Sequence, residues 1–169
     1  YFDDTLKFDS VFTQKRYFEA YLWGAAGQLP DESKIFGHEY APGITAGDDI
    51  FTVMSSETFR GAAFVLGYVN PDDLKGMNVW SDMYKVIRKA NLMLARMDEC
   101  QDMTALDRRN YTGYIHFLRG YAYYHILMTC GPAILVGDEI FESNLDGPAY
   151  NTYRATYDET VEYICSELE

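Results

Sequence analysis

WSDMYKVIRKANLMLARMD, residues 80–98, and LDRRNYTGYIHFLRGYAYYHILMTC, residues 106–130, decide the fold. In the first, Trp80, Tyr84, Ile87, Asn91 and Leu94 recur at steps of 4, 3, 4 and 3, while Lys85, Arg88, Lys89 and Arg96 take the opposite side. That is the period of an amphipathic helix. In the second, Tyr111, Ile115, Leu118, Ala122, His125 and Thr129 form one stripe, and Phe117, Tyr121, Tyr124 and Met128 form another beside it. A helix apolar on two flanks predicts burial between neighbours. Thr104 with Asp107 has capping-box spacing, with Asp in place of the usual Glu, and Gly131-Pro132 stops the helix. The short loop between the two segments makes them an antiparallel pair, the second helix roughly 40 Å long.

Outward from this pair, a first helix is predicted from Ser10 to about Gly27, with Phe18, Tyr21, Leu22 and Ala25 at helical spacing and Asp9 or Ser10 as N-cap. A fourth begins at Thr156, where Thr156 and Glu159 form a second capping box; Tyr157, Val161, Ile164 and Leu168 give its apolar face. Residues 28–79 show no sustained periodicity, although ETFRGAAFVLGYV, residues 57–69, could make a short helix. Six aromatics in this interval (Phe36, Tyr40, Phe51, Phe59, Phe64, Tyr68) argue against disorder. Residues 131–155 form a shorter irregular segment.

Fourteen Lys and Arg against 26 Asp and Glu leave a net charge of −12 in 169 residues. This acidity argues against a protein that binds phosphate backbones, which needs a basic face. The chain is 48% hydrophobic and 16% aromatic, enough to bury a core, and no apolar run is long enough to span a membrane. Charge is uneven: −6 over residues 1–79, +2 over 80–130 and −8 over 131–169. The start at Tyr1, without Met or leader, suggests a removed or omitted targeting peptide, and the end inside a helix reads as a truncation.

Tests for chemistry mostly fail. Nucleotide-binding, zinc-protease, nucleophile-elbow and EF-hand spacings are absent. His116 and His125 fall on opposite sides of one helix and cannot share a metal, and His38-Glu39 lacks a second His. Asp3-Asp4, Asp48-Asp49 and Asp72-Asp73 could each join a two-carboxylate glycosidase site, but such pairs arise freely among 26 acids. Asn110-Tyr111-Thr112 matches a glycosylation sequon. Cys100, Cys130 and Cys165 support neither a disulfide framework nor a zinc knuckle; Cys130 and Cys165 read as buried small hydrophobes. Arg119, in the middle of the most apolar helix, must be paired or hydrogen-bonded, with His116 and Tyr123 as face-mates. Trp80 reads as filling a helix–helix seam, or as offering its edge to the preceding loop.

Three ordered segments carry a family pattern. WSDMYKVIRKANLML resembles the W-x3-Y-x2-I-x2-A-N-x2-L helix of the SusD/RagB family. YIHFLRGYAYYHILMTCGPAILV is similar to its F-L-R-(A or G)-x-x-Y helix and following G-x-x-P-L turn. YRATYDETVEYICSEL resembles its R-x-T-x-(D or E)-E-x-(Y or V)-x-x-I-x-x-(D or E)-L helix. The opening residues 1–30 are similar to the start of mature members, and Asp48-Asp49 fits an acidic dipeptide of the loop that follows. Two features depart from the pattern: Pro132 stands forward of its place in the turn, which reads Gly131-Pro132-Ala133-Ile134-Leu135, and the N-terminal lipidated Cys is absent.

The resemblance implies an all-α scaffold of tetratricopeptide-like helical hairpins with long irregular loops. Residues 1–169 would be the N-terminal portion of one domain, with loop 28–79 inserted between the first and second helices. Trp80, Tyr84, Asn91, Arg119, Gly131 and Arg154 are its structural motif positions. It further implies a non-catalytic surface lipoprotein of the Bacteroidetes outer membrane, without cofactor or metal. Such a protein captures glycans or other nutrients for a SusC-like TonB-dependent transporter, touching the membrane only through an N-terminal lipid. Sugar binding would rest on aromatic faces and carboxylates, for which Tyr40, Asp48, Asp49, Phe59 and Tyr68 are the candidates, with much of the site expected in a later part of the chain. Alternatives are a helical scaffold that docks on the transporter and, third, an acidic α-helical glycosidase fragment using Asp48 or Asp49.

Overall fold

Two capping boxes set where the main helices begin in the structure, a computed structural model that describes residues 8–30, 63, 65–70, 72–73, 78–140 and 153–169. Thr104 Oγ1 accepts the Asp107 N–H at 3.1 Å, and the Asp107 carboxylate accepts the Thr104 N–H at 3.0 Å. Thr156 and Glu159 repeat the exchange at 3.2 and 2.8 Å. Each box satisfies donors that the first helical turn cannot. The described elements are a 3-10 turn Phe8–Phe12, α1 Lys15–Ala26, α2 Trp80–Arg96, a 3-10 turn Met97–Glu99, α3 Ala105–Cys130 and α4 Tyr157–Leu168. The fold is all-α.

The chain divides into two compact units, residues 1–29 with 82–169, and residues 30–81. In the first, contacts climb α3 as they descend α2: Arg108 Nη1 donates to the Met97 carbonyl at 2.8 Å, Arg119 Nη1 to Asn91 Oδ1 at 2.8 Å, and Tyr123 meets Tyr84 edge-on at 6.3 Å. The two helices are therefore antiparallel. Helix α4 also runs antiparallel to α3, from Tyr163 against Tyr123 to Glu167 against His116. Helix α1 runs parallel to α3, from Lys15 on Asp107 to Trp23 near Tyr114. Phe18, Leu22, Met83, Ile87, Met93, Ile115, Ala122, Tyr123 and Ile126 are fully buried where these helices meet. Removing that apolar surface from water is the main stabilising term. Gly120 lets α4 approach closely, since a Cβ there would lie 3.1 Å from Glu167 Cβ.

In the second unit, Ala63 and Val65 are helical, as expected of 57–69. The Tyr68 N–H closes onto the Ala63 carbonyl at 2.8 Å past Gly67, whose φ of 71° suits only glycine without strain. Asn70 Oδ1 accepts the N–H groups of Asp72 and Asp73, making an Asx turn.

Four sequence readings need correction. The first helix starts at Lys15, not Ser10: the Ser10 carbonyl accepts the Thr13 N–H in a 3-10 turn, and Gln14, with φ −132° and ψ 135°, breaks the chain before α1. The second stripe of α3 is not buried, because Phe117, Tyr124 and Met128 are exposed and Tyr121 is only half-buried. Cys165 is exposed and Cys130 half-buried; Cys100 is the buried thiol, donating to Asp102 Oδ1 at 3.1 Å, its pKa pushed up to about 11 chiefly by burial. Finally, α4 turns Thr160 and Ile164 inward and leaves Tyr157 and Leu168 exposed.

Candidate functional site

Tyr40, Asp48, Asp49 and Phe59 lie outside the described residues. Tyr68 is exposed, just past the turn at Gly67. Tyr84, Asn91, Arg119, Gly131 and Arg154 meet around the segment that follows α3. Tyr84 holds both polar groups of Ile134, its hydroxyl donating to the carbonyl at 2.9 Å and accepting the N–H at 2.8 Å. Two helical turns on, Asn91 Nδ2 donates to the carbonyls of Gly137 and Glu139 at 2.9 and 2.8 Å. Tyr123 accepts the Val136 N–H at 3.1 Å. Arg154 donates to the carbonyls of Cys130 and Pro132 at 2.8 and 3.4 Å, covering groups that the end of α3 would leave open. Gly131 turns the chain there with φ 78° and ψ −160°, a region essentially confined to glycine. Trp80 is half-buried at the first position of α2, whose N–H bonds Asn78 Oδ1 at 3.0 Å.

Arg119 is the centre of this clamp. Its side chain is 4% exposed and grips Glu167 with two parallel bonds of 2.6 Å, from Nε to Oε2 and from Nη2 to Oε1. Nη1 reaches Asn91 Oδ1 at 2.8 Å and Asp138 Oδ1 at 2.6 Å. His116 Nδ1 lies 3.0 Å from Glu167 Oε2. Burial opposes the charge on Glu167, but the bonds from Arg119 and then His116 outweigh it and hold its pKa below the ordinary value. The sequence required a partner for Arg119. Glu167 stands in the third family motif but lies 48 residues away, so no local spacing linked the two. The clamp's hydrogen bonds hold the loop after α3 against α2, α3 and α4. Among the described residues, no three His, Cys, Asp or Glu side chains are grouped to hold a metal ion. No helix among them is long and apolar enough to cross a membrane.

The exposed flank of α3 carries a second arrangement. Phe117 and Tyr121 stack with centroids 5.5 Å apart and planes 11° apart, and Tyr121 and Tyr124 at 5.8 Å and 17°. Exposed Trp23 of α1 lies 6.1 Å from Tyr114 at the start of this ridge. Beside Phe117 a cleft of about 340 Å³ opens between α3 and the last turn of α4, lined by Gly113, His116, Phe117, Ser166 and Glu167 among others. Sequence reasoning read these rings as core, because periodicity reports which residues share a face and not what covers it.

A family profile of SusD-like proteins, described as starch-binding and associating with the outer membrane, matches residues 26–169. The crystal structure of a SusD-like protein from Bacteroides fragilis NCTC 9343, at 2.70 Å resolution, matches this fold with a TM-score of 0.67 at 18% sequence identity. The match covers 95% of this chain and 29% of that one, so this chain spans less than a third of that protein's length. No curated protein matches the sequence. Since the profile runs over most of the chain and the helices follow the same architecture, the chain belongs to the SusD-like family.

Proposed function

We propose that the protein is a non-catalytic, glycan-binding component of an outer-membrane uptake system, handing its ligand to a SusC-like TonB-dependent transporter from the cell surface. One observation carries this reading: the match over residues 26–169 to a family described as starch-binding and associating with the outer membrane. The satisfied state of the buried clamp agrees with a binding role, since its carboxylates are engaged in holding structure. Anchoring by an N-terminal lipid belongs to the same proposal. Titration of the protein with starch-derived and other oligosaccharides in a calorimeter tests it. Saturable heat with one glycan class and no hydrolysis product by chromatography is the expected outcome. Hydrolysis, or silence with every glycan, overturns it.

The ridge on α3 favours a second role for this helical block, as a docking scaffold for the transporter. Phe117, Tyr121 and Tyr124 stack in sequence along this exposed flank, so each engages at least one ring face with a neighbour. A sugar ring needs a free aromatic face, whereas a protein partner packs well on ring edges. Tyr124→Ala with Met128→Ser, both at exposed positions, should reduce co-purification of the transporter while leaving glycan affinity unchanged.

A further inference from the structure

Lys15, Lys85 and Lys89 lie among the described residues, and what separates them is which has a carboxylate partner. Lys15 Nζ bonds Asp107 Oδ1 at 2.8 Å, and Lys85 Nζ bonds Asp82 Oδ1 at 2.8 Å. An opposite charge at that distance favours the protonated amine. Lys89, half-buried in the middle of α2, has instead the ring of Tyr21 on α1, 5.7 Å from Nζ to centroid, and the cation of Lys85 one turn back. Arg88, beside it in sequence, is again a cation. Among the described residues, no carboxylate comes within ion-pair distance of Lys89. We propose that Lys89 is a modification site, the amine that reacts first of these three with carbonyl electrophiles such as the open-chain aldehyde of a reducing sugar.

A lysine is a nucleophile only as the neutral amine, and desolvation or a neighbouring cation favours that form. Both act on Lys89: burial first, and then Lys85, hold its pKa below the ordinary lysine value. The ring of Tyr21 attracts a cation, but 5.7 Å is close to the limit of that contact. Lys15 is shifted the other way, chiefly by its bond to Asp107. In the reaction the Nζ lone pair adds to the aldehyde carbon, a C–N bond forms, and the carbonyl oxygen leaves as water with the two amine hydrogens. Two proton shifts, from C2 to nitrogen and from the 2-hydroxyl to C1, turn the resulting imine into a stable ketoamine with no oxidant or reductant. Access alone gives a different order, because the Lys85 side chain is 61% exposed and would react first. The inference does not depend on the glycan-binding reading, since a free sugar reaches an amine by diffusion.

The folded protein is incubated with D-ribose at neutral pH, and peptide mass mapping gives the initial rate at each lysine. Lys89 is expected to react about threefold faster than Lys85 and faster still than Lys15. Lys85→Glu, at an exposed position, removes the neighbouring cation and places a carboxylate four residues before Lys89, the favourable orientation for a helical ion pair. It should slow the reaction at Lys89 about threefold and leave Lys15, whose pairing with Asp107 reports an intact fold, unchanged. In urea, where Asp107, Asp82 and Tyr21 no longer hold their places, the three lysines should react at similar rates. A rate at Lys85 or Lys15 equal to that at Lys89 in the folded protein overturns the assignment. So does a Lys89 rate that Lys85→Glu leaves unaltered, or an order that persists in urea.

Discussion

Arg119 shows how one side chain can hold three stretches of chain together. Its guanidinium spans Asn91 on α2, Glu167 on α4 and Asp138 in the loop after α3. The contacts differ in worth, because Glu167 is 7% exposed and Asp138 86% exposed. Arg119→Met should destabilise the fold by about 3 kcal/mol, since it strands a buried carboxylate. Asp138→Asn should change stability by less than about 0.5 kcal/mol, as solvent screens that pair. Urea unfolding monitored by circular dichroism distinguishes the two. Gly131→Ala should lose roughly 1–3 kcal/mol by the same measurement, because no L-residue adopts φ 78°, ψ −160° without strain. At this scale the sequence was legible where partners are local. Thr104–Asp107 and Thr156–Glu159 were read correctly because capping is an i, i+3 geometry. That Arg119 needs a partner follows from its apolar surroundings; which partner it finds depends on the packing of α4.

Among the elements, α4 is the one most exposed to a change in protonation. Its close approach at Gly120 is secured by Glu167, whose pKa is held below the ordinary carboxylate value. A carboxylate depressed in the folded state adds stability that is complete above its unfolded value and is lost as pH falls through its folded one. Acidification from about pH 5 downward should therefore lower the melting temperature, and Glu167→Gln, less stable at pH 7, should show a flatter decline. Equal slopes in the two proteins would separate Glu167 from acid sensitivity. The N-terminus of α3 has a related group: the bonds from Lys15 and Thr104 draw Asp107 down to about 2. The elements that misled the sequence did so for definite reasons. The 3-10 turn Phe8–Phe12 carries the same apolar spacing as a helical turn, so only the extended backbone at Gln14 shows where α1 begins. In α4 the inward face holds Thr160 and Glu167, two polar residues that hydropathy places outside.

Across the whole molecule, the helical pattern was legible because four amphipathic segments and two stop signals agree. The ligand candidates were less so, since aromatic and acidic residues between helices carry no period that would order them in space. One feature of the fold bears on how it is assembled in time. Among the described residues, the hydrogen bonds that tie α1 and its leading turn to later parts of the chain reach far along it: Asp9 to Arg96 and Lys15 to Asp102 span 87 residues, Lys15 to Asp107 and Glu19 to Tyr111 span 92. The pairing of α2 with α3, by contrast, closes across 11 to 39 residues, 28 of them between Asn91 and Arg119. Bringing ends together over 92 residues rather than 28 costs roughly 1 kcal/mol more in closure entropy. The hairpin of α2 and α3 should therefore nucleate and α1 join after the rate-limiting barrier, so that Phe18→Leu accelerates unfolding while Ile115→Val slows folding in stopped-flow kinetics. The opposite partition would place α1 in the nucleus. If α1 is last to arrive, it is also first to leave, and a protease acting on the native protein would cut near Gln14 before it reached the α2–α3 hairpin.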